Sequence, residues 1–322
     1  MSKSLATGVT PRRALPPEQS ALRRKTRVQI DWLDVDGVRL RYGIRRGKGR
    51  PMVLLGTLGT HLDMLLPLVN ALDDIEVIIP EMPGTGASPS RGLPHGMGWH
   101  ARLLQTFLTR LGYDSAINLV GAGWGASLAQ TYALAGNARV NRLVLAASTV
   151  GIGLNAVNGQ SLRRFNAVRR FHAEQATPDG LSGLYNGLIR QRPQALKSRE
   201  QLAAPELRGY IHQLVARVGW TTVHRLHNLM CPTLIMAGDA DQIAPIYQSR
   251  LLHWLIPKSH VHVVRGGGHL FLQLRANECA AVIQRFINER RYDGTDNADY
   301  FTLRGLPADG HIVPPGPPAE RP

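Results

Sequence analysis

Six short apolar runs punctuate the middle of the chain, at 52–55, 77–79, 117–120, 143–147, 233–236 and 261–264. The first three stop at Gly56, Pro80 and Gly121. Continuous apolar runs, unlike alternating ones, suit strands buried on both faces of a parallel sheet. Between them, 98–111 and 126–135 carry apolar positions at helical spacing, so the pattern predicts the strand–helix alternation of an open α/β fold with helices on both faces. Ahead of this core, 30–35 and 38–44 alternate around Asp36-Gly37, a strong hairpin signal. The rhythm breaks between 151 and 228, where helical pieces occur without a convincing buried strand. An insertion there, on the carboxyl side of the sheet, predicts a helical lid over the crevice where such sheets bind ligands. The expected organisation is a flexible basic leader over 1–28, a core in two parts over 29–151 and 229–292, a helical lid over 152–228 and a Pro-rich tail over 293–322.

Composition narrows the class without naming a reaction. Hydrophobic content of 43% with 19% charged residues fits a soluble enzyme, and no run approaches the roughly 20 apolar residues of a membrane span. The first 27 residues lack the apolar core of a secretory signal. Cys231 and Cys279 are too few for a disulfide framework and lack metal-ligand spacing, so both read as reduced core residues of a cytoplasmic protein. His172, His212, His224, His227 and His253 are scattered, and neither a metal nor a cofactor is expected. The net charge of +15 raises the question of an anionic partner. No nucleic-acid motif is present, and no aromatic residues interleave with clusters such as Arg163, Arg164, Arg169 and Arg170. The charge therefore reads as an arginine-rich solvated surface.

Chemistry concentrates in three loops. Gly121-Ala122-Gly123-Trp124-Gly125 follows an apolar run and opens a helical one, the setting of a nucleophile elbow. A phosphate-binding turn looks similar locally, but the chain-wide context speaks against it. The N–H of Trp124 is the expected oxyanion donor of such an elbow. Gly238-Asp239-Ala240-Asp241 follows the run at 233–236, and Gly266-Gly267-Gly268-His269 follows the run at 261–264. An acid after one late strand and a histidine after the next is the chain order of a hydrolytic triad on this kind of sheet.

On these residues the chain resembles the intracellular depolymerases of medium-chain-length polyhydroxyalkanoates, within the α/β-hydrolase superfamily. The resemblance spans about 35–291 and is densest in Gly219-Trp220-Thr221-Thr222-Val223-His224-Arg225-Leu226-His227 and in 232–241. It continues through Arg250-Leu251-Leu252-His253-Trp254 and Gly268-His269-Leu270-Phe271-Leu272, and Trp124 in the elbow also fits. It implies that Asp241 and His269 are the catalytic acid and histidine. It also implies an aliphatic 3-hydroxyacyl ester, small or oligomeric, as ligand, with a polyhydroxyalkanoate granule surface as an open option. His224 and His227 are then structural residues beside the lid's return. The departures are equally specific. Where the family has serine, this chain has Gly123. The loop Gly56-Thr57-Leu58-Gly59-Thr60 lacks the family's usual His-Gly or Asn-Gly start, although Leu58 N–H is still the expected second oxyanion donor. Glu81-Met82-Pro83-Gly84-Thr85-Gly86 keeps the family's Pro-Gly-x-Gly turn with Glu for the usual Asp, a structural role.

Glycine at the elbow offers no Oγ for His269 to deprotonate, which closes the ordinary covalent route. Loss of the serine costs another serine hydrolase about a million-fold in turnover. Ser127 lies one helical turn too far on, Cys231 sits at the opposite end of its strand, and Thr57 and Thr60 are expected to face His269 from the wrong side. None of the four is expected to act as nucleophile. Four readings stay open. The chain is a family member that binds hydroxyacyl chains without cleaving them, or an engineered depolymerase. Otherwise it is a non-covalent general-base enzyme, activating water or moving a substrate proton in a lyase-, cyclase- or isomerase-type reaction. The last reading is a scaffold protein that uses its basic surface.

Overall fold

The computed structural model describes residues 28–136, 139–151 and 206–288. Eight strands form one sheet, in the spatial order Gln29–Val35, Val38–Arg45, Ile75–Pro80, Lys48–Leu55, Ile117–Ala122, Val140–Ala146, Thr233–Gly238 and Ser259–Val264. The alternating start of the chain folds as the hairpin of β1 (Gln29–Val35) and β2 (Val38–Arg45), with Val35 opposite Val38 across the Asp36-Gly37 turn. Asp36 and Gly37 both take positive φ, which is why an Asp-Gly pair stands there. The hairpin joins the sheet antiparallel, through β2 against β4 (Ile75–Pro80). The remaining strands run parallel: β3 (Lys48–Leu55), β5 (Ile117–Ala122), β6 (Val140–Ala146), β7 (Thr233–Gly238) and β8 (Ser259–Val264). All six apolar runs of the sequence lie in or against these strands.

The continuous apolar character of the strands reflects two cores, one on each face. Along β3, Val53 and Leu55 point into one and Met52 and Leu54 into the other, all essentially sealed from solvent. The first core packs beneath α2 (Met97–Arg110), α3 (Trp124–Ala135) and α5 (Ile246–Leu255), through Leu104, Phe107, Leu128 and Leu252. The second packs beneath α1 (Leu66–Ala71), α6 (Phe271–Leu274) and α7 (Ala276–Asn288), through Leu68, Phe271, Ile283 and Phe286. At about 25 cal/mol per Å² of apolar surface, burial on both faces is the main term holding the sheet. Of the lid expected over 152–228, residues 152–205 lie outside the described residues. From 206 on, the segment forms α4 (Leu207–Val215) and a 3-10 helix over Val223–Asn228. Residues 1–27 of the leader, 289–292 at the end of the second core part and the tail over 293–322 also fall outside. No helix among the described residues is long and apolar enough to cross a membrane.

Because β3, β5, β7 and β8 are parallel, the loops after them open at one edge of the sheet. That edge gathers Thr57, Gly123, Asp241 and His269 from four separate parts of the chain.

Candidate active site

Gly123 is the single residue between the end of β5 and the start of α3, and its backbone stands at φ 53°, ψ −109°. An L side chain is strained there, so glycine relieves the turn without changing its path. The turn is pinned on both sides. Gly123 N–H donates to Ala146 O at 2.9 Å, and Gly125 N–H donates to Gly56 O at 3.0 Å. A Cβ on Gly125 would lie 2.5 Å from the carbonyl oxygens of Leu55 and Gly56, so α3 packs against the end of β3 only through a glycine.

The β7 and β8 loops are laced together by Ala240 N–H to Gly267 O at 3.0 Å and Gly266 N–H to Asp239 Oδ1 at 2.6 Å. This brings Asp241 Oδ2 to 2.9 Å from His269 Nδ1, with both side chains buried. The other oxygen, Asp241 Oδ1, accepts from Ile243 N–H at 2.7 Å and Ala244 N–H at 3.0 Å. Burial by itself pushes the Asp241 carboxyl up. The charge and hydrogen bond of His269 and the two backbone donors outweigh it, and the net direction is down. An ionised Asp241 can only accept, so the imidazole proton sits on Nδ1 and Nε2 presents its lone pair.

That lone pair already has a partner. Thr57 Oγ1 lies 3.2 Å from His269 Nε2, close enough for its hydroxyl to donate. The expectation that Thr57 faces His269 from the wrong side is therefore overturned. A Cβ built on Gly123 would sit 3.0 Å from His269 Nε2 and well inside contact distance of Thr57 Oγ1. Thr57 thus fills the space that an elbow side chain would need. It reaches that space because a tight turn carries it: Thr57 O accepts from Thr60 N–H at 3.1 Å and from Thr60 Oγ1 at 2.8 Å.

The other candidates fall as follows. Trp124 is the first residue of α3, where a backbone N–H has no partner within its own helix. Leu58 is the second residue of the Thr57–Thr60 turn. Ser127 is fully buried in α3, and its Oγ has no hydrogen-bond partner among the described residues. Cys231 precedes β7 at the far edge of the sheet, with burial pushing its thiol up. Gln213, on α4, was not singled out from sequence. Its Oε1 accepts from Gly59 N–H at 3.2 Å and its backbone oxygen from Trp124 Nε1 at 2.9 Å, tying α4 to the Thr57 turn and to the elbow. A cavity of about 20 Å³ beside that turn is bordered by Thr57, His61, Glu81, Trp124 and Gln213. Among the described residues it has room for about one water.

Residues 50–275 match the family described as alpha/beta hydrolase fold. A poly(3-hydroxyalkanoate) depolymerase of Ectopseudomonas oleovorans is 33% identical over 267 residues, covering 80% of this chain and 92% of that protein. Among solved structures, an enol-lactonase from Burkholderia xenovorans LB400 aligns with a TM-score of 0.71 at 22% identity, over 80% of this chain and 100% of the other. A thermophilic esterase from Thermogutta terrifontis aligns with a TM-score of 0.69 at 21% identity, over 80% and 98%. At those identities the two structural likenesses speak to the fold alone.

Proposed function

Because the chain belongs to the alpha/beta hydrolase fold family and, within it, to the poly(3-hydroxyalkanoate) depolymerases, we propose that it hydrolyses esters of aliphatic 3-hydroxyacyl chains without an elbow serine. Asp241 and His269 act as the acid–base dyad. Trp124 N–H and Leu58 N–H receive the negative charge that develops on the ester carbonyl oxygen.

One observation carries this reading. The dyad is fully assembled, with His269 Nδ1 2.9 Å from Asp241 and Nε2 held by a hydroxyl at 3.2 Å, at the point where a family serine would be activated. A pair held with its lone pair aimed at the reacting position is poised to take a proton in an acyl transfer. A scaffold that used only the basic surface has no need of it.

The test is hydrolysis of 3-hydroxyoctanoate oligomers and of a medium-chain chromogenic ester by the native protein and by His269→Ala. Turnover in the native chain that disappears in the variant supports the proposal. Turnover that is absent, or indifferent to His269, sinks it and returns the site to ligand binding.

A further inference from the structure

We infer that Thr57 is the nucleophile of this site, the hydroxyl having moved from the elbow to the loop after β3. The inference rests on the ester-hydrolase reading above and adds a covalent step to it. Its first support is the position of the hydroxyl. Thr57 Oγ1 is 3.2 Å from His269 Nε2, and it occupies the space that the first side-chain atom of an elbow residue would take. Its second support is mutual exclusion. No side chain at position 123 coexists with the Thr57 rotamer seen here, so the glycine at 123 and the threonine at 57 form one arrangement, not two independent departures.

The oxyanion donors need no new parts. On this fold they are the N–H that follows the nucleophile and an N–H from the opposite loop. With Thr57 as nucleophile, Leu58 follows it and Trp124 supplies the opposite loop, so the same two groups exchange roles. His269 takes the proton of Thr57 as Oγ1 bonds to the ester carbonyl carbon and the carbonyl electron pair moves onto oxygen. Collapse of this intermediate breaks the bond to the leaving alcohol, which receives the proton from His269, and leaves an acyl-threonine. Water, deprotonated by His269, then attacks the acyl carbon. The carboxylic acid leaves, and Thr57 Oγ1 recovers a proton.

Three variants at the two loops, together with His269→Ala and one probe, test the assignment. Thr57→Val keeps the shape and removes the hydroxyl, Thr57→Ser keeps the hydroxyl, and Thr57→Gly with Gly123→Ser returns the hydroxyl to the elbow. Each is checked for folding by thermal melting. An alkyl fluorophosphonate, which loses fluoride to an activated hydroxyl, reports the nucleophile by peptide mass independently of turnover. The expected result is a label on the Thr57 peptide of the native chain, absent from Thr57→Val and from His269→Ala. Turnover falls by about a thousand-fold or more in Thr57→Val and persists in Thr57→Ser, and in the double variant the label moves to the peptide carrying position 123. If native turnover needs His269 but survives in Thr57→Val without any label at position 57, the nucleophile assignment is overturned and the hydrolase reading stands. If the native chain neither turns over nor labels while the double variant does both, both proposals fall, and the chain is a hydrolase scaffold with a disabled site.

Discussion

Between Gly123 and Thr57 the two loops hold one side chain where two would collide. Only their contact shows that Thr57 takes the space a side chain at 123 would need. The glycine at 123 was legible from sequence because the elbow is a local motif of strand, turn and helix. Thr57 was not, because its approach to His269 spans 212 positions and depends on the turn closed by Thr60. A signal did exist: a hydroxyl residue in the loop whose usual start was missing, in the same chain that lacked the elbow hydroxyl. Asp241 has a separate, equally local task. Its Oδ2 fixes the proton of His269 on Nδ1, and Asp241→Asn would remove the charge and permit the opposite tautomer. Turnover of the medium-chain ester is expected to fall by about ten-thousand-fold in that variant, with Thr57→Ser unable to rescue it. A small effect on the maximal rate at pH 7 would mean that Nε2 is not the working nitrogen.

Secondary elements were legible to the degree that one face differed from the other or that a run was apolar throughout. All six apolar runs became strands, and 98–111 and 126–135 became α2 and α3 within a residue or two at their ends. The segment over Leu66–Ala71 was opaque because its surroundings are leucine-rich on every side: Leu62, Leu65, Leu66, Leu68 and Val69 are all buried, so no polar stripe marks a helix. This short α1 holds its place through a residue outside it. The Arg45 guanidinium, at the end of β2, donates to the carbonyls of Val69, Leu72, Asp73 and Ile75 and so closes the carboxyl end of the helix. Burial pushes its pKa down, yet a guanidinium starts high enough to keep its charge. Arg45→Met retains the apolar stem and strands several carbonyl oxygens. It is expected to lower stability by about 2 kcal/mol in urea unfolding, and an unchanged midpoint would show that water caps α1 equally well.

For the molecule as a whole, acid tolerance depends on a histidine that plays no part in the chemistry. His100 on α2 is buried against Trp99 and Trp124, its ring edge-on to Trp124 with centroids 5.1 Å apart, so it wedges α2 against the first residue of the elbow helix. Its Nδ1 has no hydrogen-bond partner among the described residues. Burial pushes its pKa down to about 4. The folded protein therefore holds His100 neutral in a range where the unfolded chain protonates it near the usual value of about 6.5. Above that value the two states carry the same charge at this position and stability is at its full level. As pH falls from about 6.5 toward 4 the unfolded state binds the extra proton, and folding loses free energy on the order of 3 kcal/mol from this group. The net charge of +15 at pH 7 grows over the same range and adds self-repulsion in the same direction. The native curve alone therefore cannot isolate His100. His100→Phe keeps an aromatic wedge and removes the titration. Urea unfolding of both proteins from pH 7.5 down to pH 4.5 should show the native chain losing stability more steeply than the variant below about pH 6.5. Parallel curves would mean that His100 takes up its proton in the folded state without cost, and that α2 yields to admit the charge.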